Sequence, residues 1–285
     1  MAKTPLLICA YRSRYLDAVL NWLASEGIEE KYQVFVWDNG GARQIAAEYG
    51  FETHGLGATE SAEPRNVGKA IAMQYLVDIV TKALPDATCY VCMDDDVIVD
   101  YEHLDALVSA AHRPSIGMVA ARFHPFNSVM PAGGSIVEFD PCPVCSASKP
   151  SARCLHCRGS GKNPQGLRLR TYPVEDRTVL NVGRVAGTLF AVSKAAVAET
   201  KYAPYLYPIL TRQGDNSPIV YWSEDATLDV ALTSEGYTNG YLEMPHLTPA
   251  IHLPELDHEY MQWKLKAREE PPIEGFKSKK EARDG

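Results

Sequence analysis

The sequence predicts an α/β domain, a mostly parallel sheet with helices on both faces, interrupted by a small cysteine-bearing insertion. Three observations predict it. Short apolar runs alternate with segments of helical period from residue 5 to residue 121. The alternation stops over residues 122–180, which are rich in Pro, Gly, Ser and Cys, and resumes after them. One apolar run, residues 87–92, delivers the acids Asp94, Asp95 and Asp96. Open α/β sheets bind ligands at the ends of their strands.

A chain of 285 residues, 46% of them hydrophobic, can bury a sizeable core in one large domain or two smaller ones. A formal net charge of −8 argues against a surface coated in basic residues and leaves room for a local basic patch. No run approaches the roughly 20 apolar residues of a membrane span. The opening MAKTPLLICAYRSRYL runs into Arg12 and Arg14 without a small-residue cleavage site, so a first strand is expected there, not a signal peptide. Of the 7 cysteines, four form two C-x-x-C pairs, which suits a reducing compartment and a metal site. A cytoplasmic protein with no membrane partner is expected.

Residues 5–10 (PLLICA) read as the first strand, and Tyr11-Arg12-Ser13-Arg14 as the polar loop at its end. Leu16, Val19, Leu20 and Leu23 recur at helical spacing over 15–26, and Gly27 is a stop. Residues 33–37 (QVFVW) form a second strand closed by Asp38-Asn39-Gly40-Gly41, ahead of a helix over 42–49 and a short strand over 51–54. Pro64-Arg65-Asn66-Val67-Gly68 leads into a helix with Ala70, Met73, Leu76, Val77 and Val80 on one face. The acid-tipped strand follows, then a helix over 101–111 and a strand over 116–121. Beyond the insertion, a strand is expected over 182–192 and a helix over 194–199. Residues 201–222 read as an aromatic, Pro-rich loop. Ser223 is a candidate N-cap for a helix opened by Glu224 and Asp225, with Leu228, Ala231 and Leu232 on its apolar face and Gly236 as its stop. A last strand over 237–244 precedes His246 and His252. The charged tail from 269 is expected to be mobile.

Alternate residues of a strand face opposite ways, so Asp94 and Asp96 can face one ligand together. Carboxylates suit Mg²⁺ or Mn²⁺, and such ions usually bridge few protein carboxylates to substrate phosphates. A solvated acidic turn is the plainer reading of the same residues. Cys142, Cys145, Cys154 and Cys157 form two knuckles that can close tetrahedrally on structural Zn²⁺. Free cysteines or a redox pair are the plainer reading, and His156 could replace one ligand. Cys9, Cys89 and Cys92 fall in apolar strands and are expected to be buried. Arg153, Arg158, Lys162, Arg168 and Arg170 make the insertion locally basic, which fits a nucleic-acid contact.

Six segments stand in order along the chain: AYR, VWDNGG, PRNVGKAIAMQ, MDDDV, VAGTLFAVSK and WSEDATLDVALTSEGY. In these the chain resembles the GT-A fold, specifically the nucleotide-sugar glycosyltransferases called family 2, over roughly residues 5–121 and 182–252. CLHCRGSG also looks like the DnaJ-type cysteine-rich module; the first pair, CPVCSAS, lacks its glycines, so one zinc and no chaperone role is expected. The resemblance implies a GT-A (Rossmann-like) fold with residues 1–121 as the donor-binding half. Residues 122–180 would be an insertion with a zinc knuckle at 142–157, 181–268 the acceptor and catalytic half, and 269–285 a tail. It implies a metal-dependent hexosyl- or pentosyltransferase moving a sugar from a UDP-sugar to an acceptor hydroxyl, inverting in the first reading, with retention open.

The residue roles follow from the same resemblance. Tyr11 and Arg12 would border the nucleotide, and Asp38 would accept a hydrogen bond from its base. Arg65 and Asn66 would lie near the diphosphate or sugar. Asp94 and Asp96 match the outer positions of the DxD motif, which binds ribose and Mn²⁺ or Mg²⁺, and Asp95 would touch the sugar. His252 would be a further metal ligand, with His246 as runner-up. Asp225, beside Glu224, would be the general base. Trp222 could stack on a sugar or acceptor ring. Each role has a plainer counterpart: a turn former for Asp38, helix-entry residues for Arg65 and Asn66, an acid suited to a helix N-terminus for Asp225, a loop histidine, a core tryptophan. The insertion would be a lid or an acceptor platform, and the acceptor a hydroxymethylated base in DNA or a small molecule, glycan or protein. Two other functions compete. Nucleotidyltransferases also use strand-end acids and a metal, but usually show a Gly-rich loop after the first strand, which AYRSRYL lacks. A non-catalytic nucleotide-sugar or nucleic-acid binding protein would tolerate loss of Asp225.

Overall fold

Apolar runs without polar alternation are what a sheet covered on both faces requires, and the chain's runs go to such a sheet. A computed structural model describes residues 3–57, 65–121, 123–124, 135–141, 143–144, 162–171, 178–181, 187–200, 224–243 and 250–267. The first half runs β1 (Thr4–Ala10), α1 (Leu16–Ser25), β2 (Tyr32–Asp38), α2 (Arg43–Glu48), β3 (Glu52–His54), α3 (Gly68–Ala83), β4 (Cys89–Asp94), β5 (Val97–Ile98), α4 (Tyr101–Ala111) and β6 (Ile116–Ala120). Then come β7 (Phe123–His124), β8 (Ser135–Pro141), β9 (Lys162–Thr171), β10 (Thr178–Asn181), β11 (Leu189–Ser193) and α5 (Lys194–Glu199). The described chain closes with α6 (Glu224–Ser234), β12 (Thr238–Glu243), β13 (Ala250–His252) and α7 (His258–Ala267).

The main sheet has 8 strands in the order β10-β12-β6-β11-β4-β1-β2-β3. β3, β2, β1 and β4 are parallel, as are β6 and β12. β11 runs antiparallel between β4 and β6, and β10 antiparallel at the edge. The mostly parallel α/β architecture expected from the sequence is therefore present. Strand alternation splits its core in two. Leu6 and Ile8 of β1 face α1, α2 and α4, while Leu7 faces α3, α5 and α6. Gly27, at φ 67°, ends the α1 turn in a left-handed conformation that side chains disfavour.

α6 is anchored by a buried polar link. Asn239 of β12 accepts from the Met118 backbone N–H at 2.9 Å and donates to the Asp229 carboxylate of α6 at 2.6 Å. A Cβ on Gly117 would stand 2.7 Å from the Asn239 amide oxygen, so this strand glycine permits the close approach.

The elements differ from expectation in several places, and β13 lies beyond the strand over 237–244 that was expected to be the last. The strand expected over 182–192 begins at Leu189, with Gly187 and Thr188 in a turn before it. The segment 122–180 holds a regular pair, β8 antiparallel to β9, with Ile136 opposite Arg170; Leu167-Arg168-Leu169-Arg170 alternates with period two, a strand signal that the surrounding turn-rich composition obscured. β10 then joins the main sheet, so the insertion is not wholly outside it. Finally, α7 was not expected. The cysteines of the proposed knuckle (Cys142, Cys145, Cys154, Cys157), His156, Trp222, Ser223, His246 and the tail from 269 lie outside the described residues. Cys89 and Cys92 are buried in β4, and burial pushes the Cys89 thiol up to about 12. Among the described residues no helix is long and apolar enough to cross a membrane.

Candidate metal centre

The parallel register aligns three strand ends. Ala10 of β1 stands beside Asp38 of β2, and Cys9 beside Asp94 of β4. The Tyr11 loop, the Asp38 turn and the acids therefore share one sheet edge, as the sequence implied.

Asp94, Asp96 and His252 each offer one ligand atom, all within 4.8 Å of one another. His252 arrives because β13 pairs antiparallel with β5, placing it opposite Val97. The Leu253 N–H donates to the Asp96 carbonyl at 3.0 Å, and the Phe123 ring meets the imidazole edge-on at 6.2 Å. Asp96 is fully buried and His252 nearly so, with His252 Nε2 3.5 Å from Asp96 Oδ1. A buried carboxylate demands compensating charge. Two carboxylates and one imidazole form a mainly oxygen donor set, which suits Mn²⁺ or Mg²⁺. The residues present fit such an ion.

Lys69 joins this cluster without having been singled out in the sequence. Its Nζ donates to Asp94 Oδ1 at 2.6 Å and to the Gly187 carbonyl at 2.8 Å. The available signal was its place in the first turn of α3, where a cation opposes the helix dipole.

Other expected site residues have backbone duties. Asp95, expected near the sugar, accepts the Tyr11 N–H on its Oδ2 at 2.9 Å, and its carbonyl accepts the Ser13 hydroxyl at 3.2 Å. Asp95 and Asp96 lie in the turn between β4 and β5, not in a strand. Asp38 is buried and accepts the N–H groups of Gly40 at 2.8 Å, Ala42 at 3.0 Å and Arg43 at 3.1 Å. These bonds form the turn into α2. Asn66 accepts the Gly68 N–H at 2.9 Å and so helps to start α3. Arg12 is exposed at φ 48°, with its guanidinium 5.4 Å from the Tyr11 ring centre, and its N–H ties the β1 loop to the Gly40 carbonyl. Arg65 is exposed ahead of α3. Glu224 and Asp225 open α6, with backbone in its first turn.

α7 closes the outer side of this region. Tyr260 is buried and donates to the Ser13 hydroxyl at 3.1 Å. Burial, then Asp95, with smaller effects of Asp96 and Asp94, pushes its phenol above the ordinary range.

No family model and no curated protein matches the chain. Matching solved structures include the glucosyl-3-phosphoglycerate synthase of Mycobacterium tuberculosis in complex with Mn²⁺, uridine diphosphate and glucosyl-3-phosphoglycerate. It is 12% identical at a TM-score of 0.45, over 90% of this chain and 75% of that one. Another is a glycosyltransferase involved in glycosylation of the major capsid of PBCV-1, 8% identical at a TM-score of 0.36, over 93% of this chain and 99% of that one. At this level of similarity the chain's own side chains carry the functional case.

Proposed function

We propose that the chain is a divalent-metal-dependent glycosyltransferase using a nucleotide-sugar, in the first instance a UDP-sugar. The observation that carries the proposal is the meeting of Asp94, Asp96 and His252 within 4.8 Å at the strand-end edge of a mostly parallel sheet. Asp94 and Asp96 would hold Mn²⁺ or Mg²⁺ through carboxylate oxygens, and His252 through its imidazole. The bound cation supplies Lewis-acid stabilisation of the charge on a departing nucleoside diphosphate. Lys69 keeps a further positive charge at Asp94. Tyr11, Arg12 and Arg65 are assigned to the donor side.

Asp225, beside Glu224, is the proposed general base. Its carboxylate would take the acceptor hydroxyl's proton as that oxygen bonds to the anomeric carbon and the diphosphate leaves from the opposite face, with inversion. The C-x-x-C pairs extend the proposal to a zinc-stapled basic insertion facing the acceptor, with hydroxymethylated DNA as the first polymer to test. Zinc in freshly purified reduced protein supports that extension; its absence removes it.

The test is a thermal-shift screen of nucleotides and UDP-sugars with and without Mn²⁺. A UDP-linked species that stabilises the protein only with metal is expected, because ligands that bind the folded state raise its apparent stability. No shift with any nucleotide overturns the proposal.

A further inference from the structure

The described C-terminal segment supplies more than His252. It also reaches the backbone of the acid loop, through two routes. On one side of Asp96, the Leu253 N–H donates to the Asp96 carbonyl at 3.0 Å. On the other side, the Ser13 hydroxyl donates to the Asp95 carbonyl at 3.2 Å. That carbonyl belongs to the peptide joining Asp95 to Asp96, between the two proposed carboxylate ligands. Ser13 in turn accepts from the Tyr260 hydroxyl at 3.1 Å and from the Tyr15 N–H at 3.2 Å. One donor and two acceptor positions are all a serine hydroxyl has, so these partners fix its direction.

Tyr260 is itself held firmly. Its ring meets Tyr15 edge-on at 4.9 Å and stacks on Trp263 at 5.3 Å. The Arg14 guanidinium lies 5.1 Å from its ring centre. Its N–H donates to Asp257 at 3.0 Å, and Asp257 also accepts the Tyr15 hydroxyl at 2.6 Å. Helix α7 and the β1 loop are thus stitched together directly behind the acids.

We propose that α7 braces the metal centre and that Tyr260 is its positioning residue, acting through Ser13 on the peptide between Asp95 and Asp96. The inference rests on the reading of Asp94, Asp96 and His252 as ligands. Partners beyond the ligand shell orient the ligands and tune affinity. Tyr260 touches no reacting atom; it sets the direction in which Asp94 and Asp96 present their oxygens.

The experiment uses the full chain and Mn²⁺ alone, with free ion counted by electron paramagnetic resonance. Tyr260→Phe keeps the stacked ring and removes only the hydroxyl. Ser13→Ala removes the next link. Tyr32→Phe, which deletes a buried hydroxyl bonded to Asp105 at 2.9 Å, is the remote control. Tyr260→Phe and Ser13→Ala should each weaken Mn²⁺ binding about tenfold, the low end of outer-shell effects. The double variant should be little worse than either, because the two act in one chain of contacts. Tyr32→Phe should lower melting temperature and leave Mn²⁺ affinity at the wild-type value. Amide hydrogen exchange in the metal-free proteins is the second readout, with faster exchange over 94–97 expected in Tyr260→Phe and not in Tyr32→Phe. Wild-type Mn²⁺ affinity in both Tyr260→Phe and Ser13→Ala overturns the brace. If the wild type binds no Mn²⁺, the ligand reading fails separately and exchange decides the brace: unchanged exchange over 94–97 overturns it.

Discussion

Asp38 ends β2 and Asp96 follows the end of β4 by two residues, on either side of β1, and the chain uses them in opposite ways. After β2 the backbone turns at once through Asn39, Gly40 and Gly41 into α2. The N–H groups of Gly40, Ala42 and Arg43 therefore reach back to Asp38. After β4 the chain continues into β5, and the group that meets Asp96 is an imidazole delivered by β13. The first acid is bonded by its own turn, and the second is met by a side chain distant in sequence. What the rest of the fold brings to an acid thus decides whether its oxygens are spent on its own turn or left to face a distant side chain.

Substitutions can break this contrast. The largest effect is expected at the β4 end. Loss of an outer-shell partner costs a metal site about 10- to 100-fold, so Asp96→Ala should weaken Mn²⁺ binding by more than about 100-fold by calorimetry, with metal-dependent turnover lost. Asp38→Ala should do the reverse. It leaves backbone donors buried without their acceptor and should destabilise the fold by about 2 kcal/mol, measured by urea denaturation, with Mn²⁺ affinity retained. A metal defect in Asp38→Ala of the size seen in Asp96→Ala would erase the distinction.

Asn66 extends the turn-forming side of the contrast. Removing its bond to the Gly68 N–H should cost about 1 kcal/mol, so Asn66→Ala should unfold at slightly lower urea with little change in metal binding. The smallest effect is at an acid on the exposed side of the molecule. The Tyr15 hydroxyl bond, then the Tyr260 N–H, holds the Asp257 carboxyl below its usual value. Its contribution is therefore complete above the ordinary carboxylate range and is lost as pH falls through the lowered value. Trp263 fluorescence should report loosening of α7 as pH falls through that lowered value. An unchanged signal through that acidic range would contradict the assignment.

Much of this was legible beforehand because it is local or periodic. The helical periods of α1 and α3 and the apolar run of β4 follow from hydrophobic spacing alone, and the turn role of Asp38 is written in Asp-Asn-Gly-Gly. His252 was legible only through the resemblance, since no local pattern links it to Asp96. The orientation of β11 was not legible, because an apolar run has the same period in either direction. Lys69 reads as a solvated lysine until Gly187 and Asp94 are placed around it. α7 escaped because its sequence, HEYMQWKLKA, interleaves apolar with polar residues; among its described side chains Tyr260 is buried while Trp263 is 37% exposed. The hydroxyl and aromatic contacts of Tyr260 leave no hydrophobic period to read.

The most direct measurement is electron spin-echo spectroscopy of Mn²⁺ bound to protein carrying ¹⁵N-labelled histidine. The predicted result is coupling to a single histidine nitrogen, absent in His252→Ala. Bound Mn²⁺ without histidine coupling, or with coupling that survives His252→Ala, would contradict the proposed Asp94, Asp96 and His252 centre.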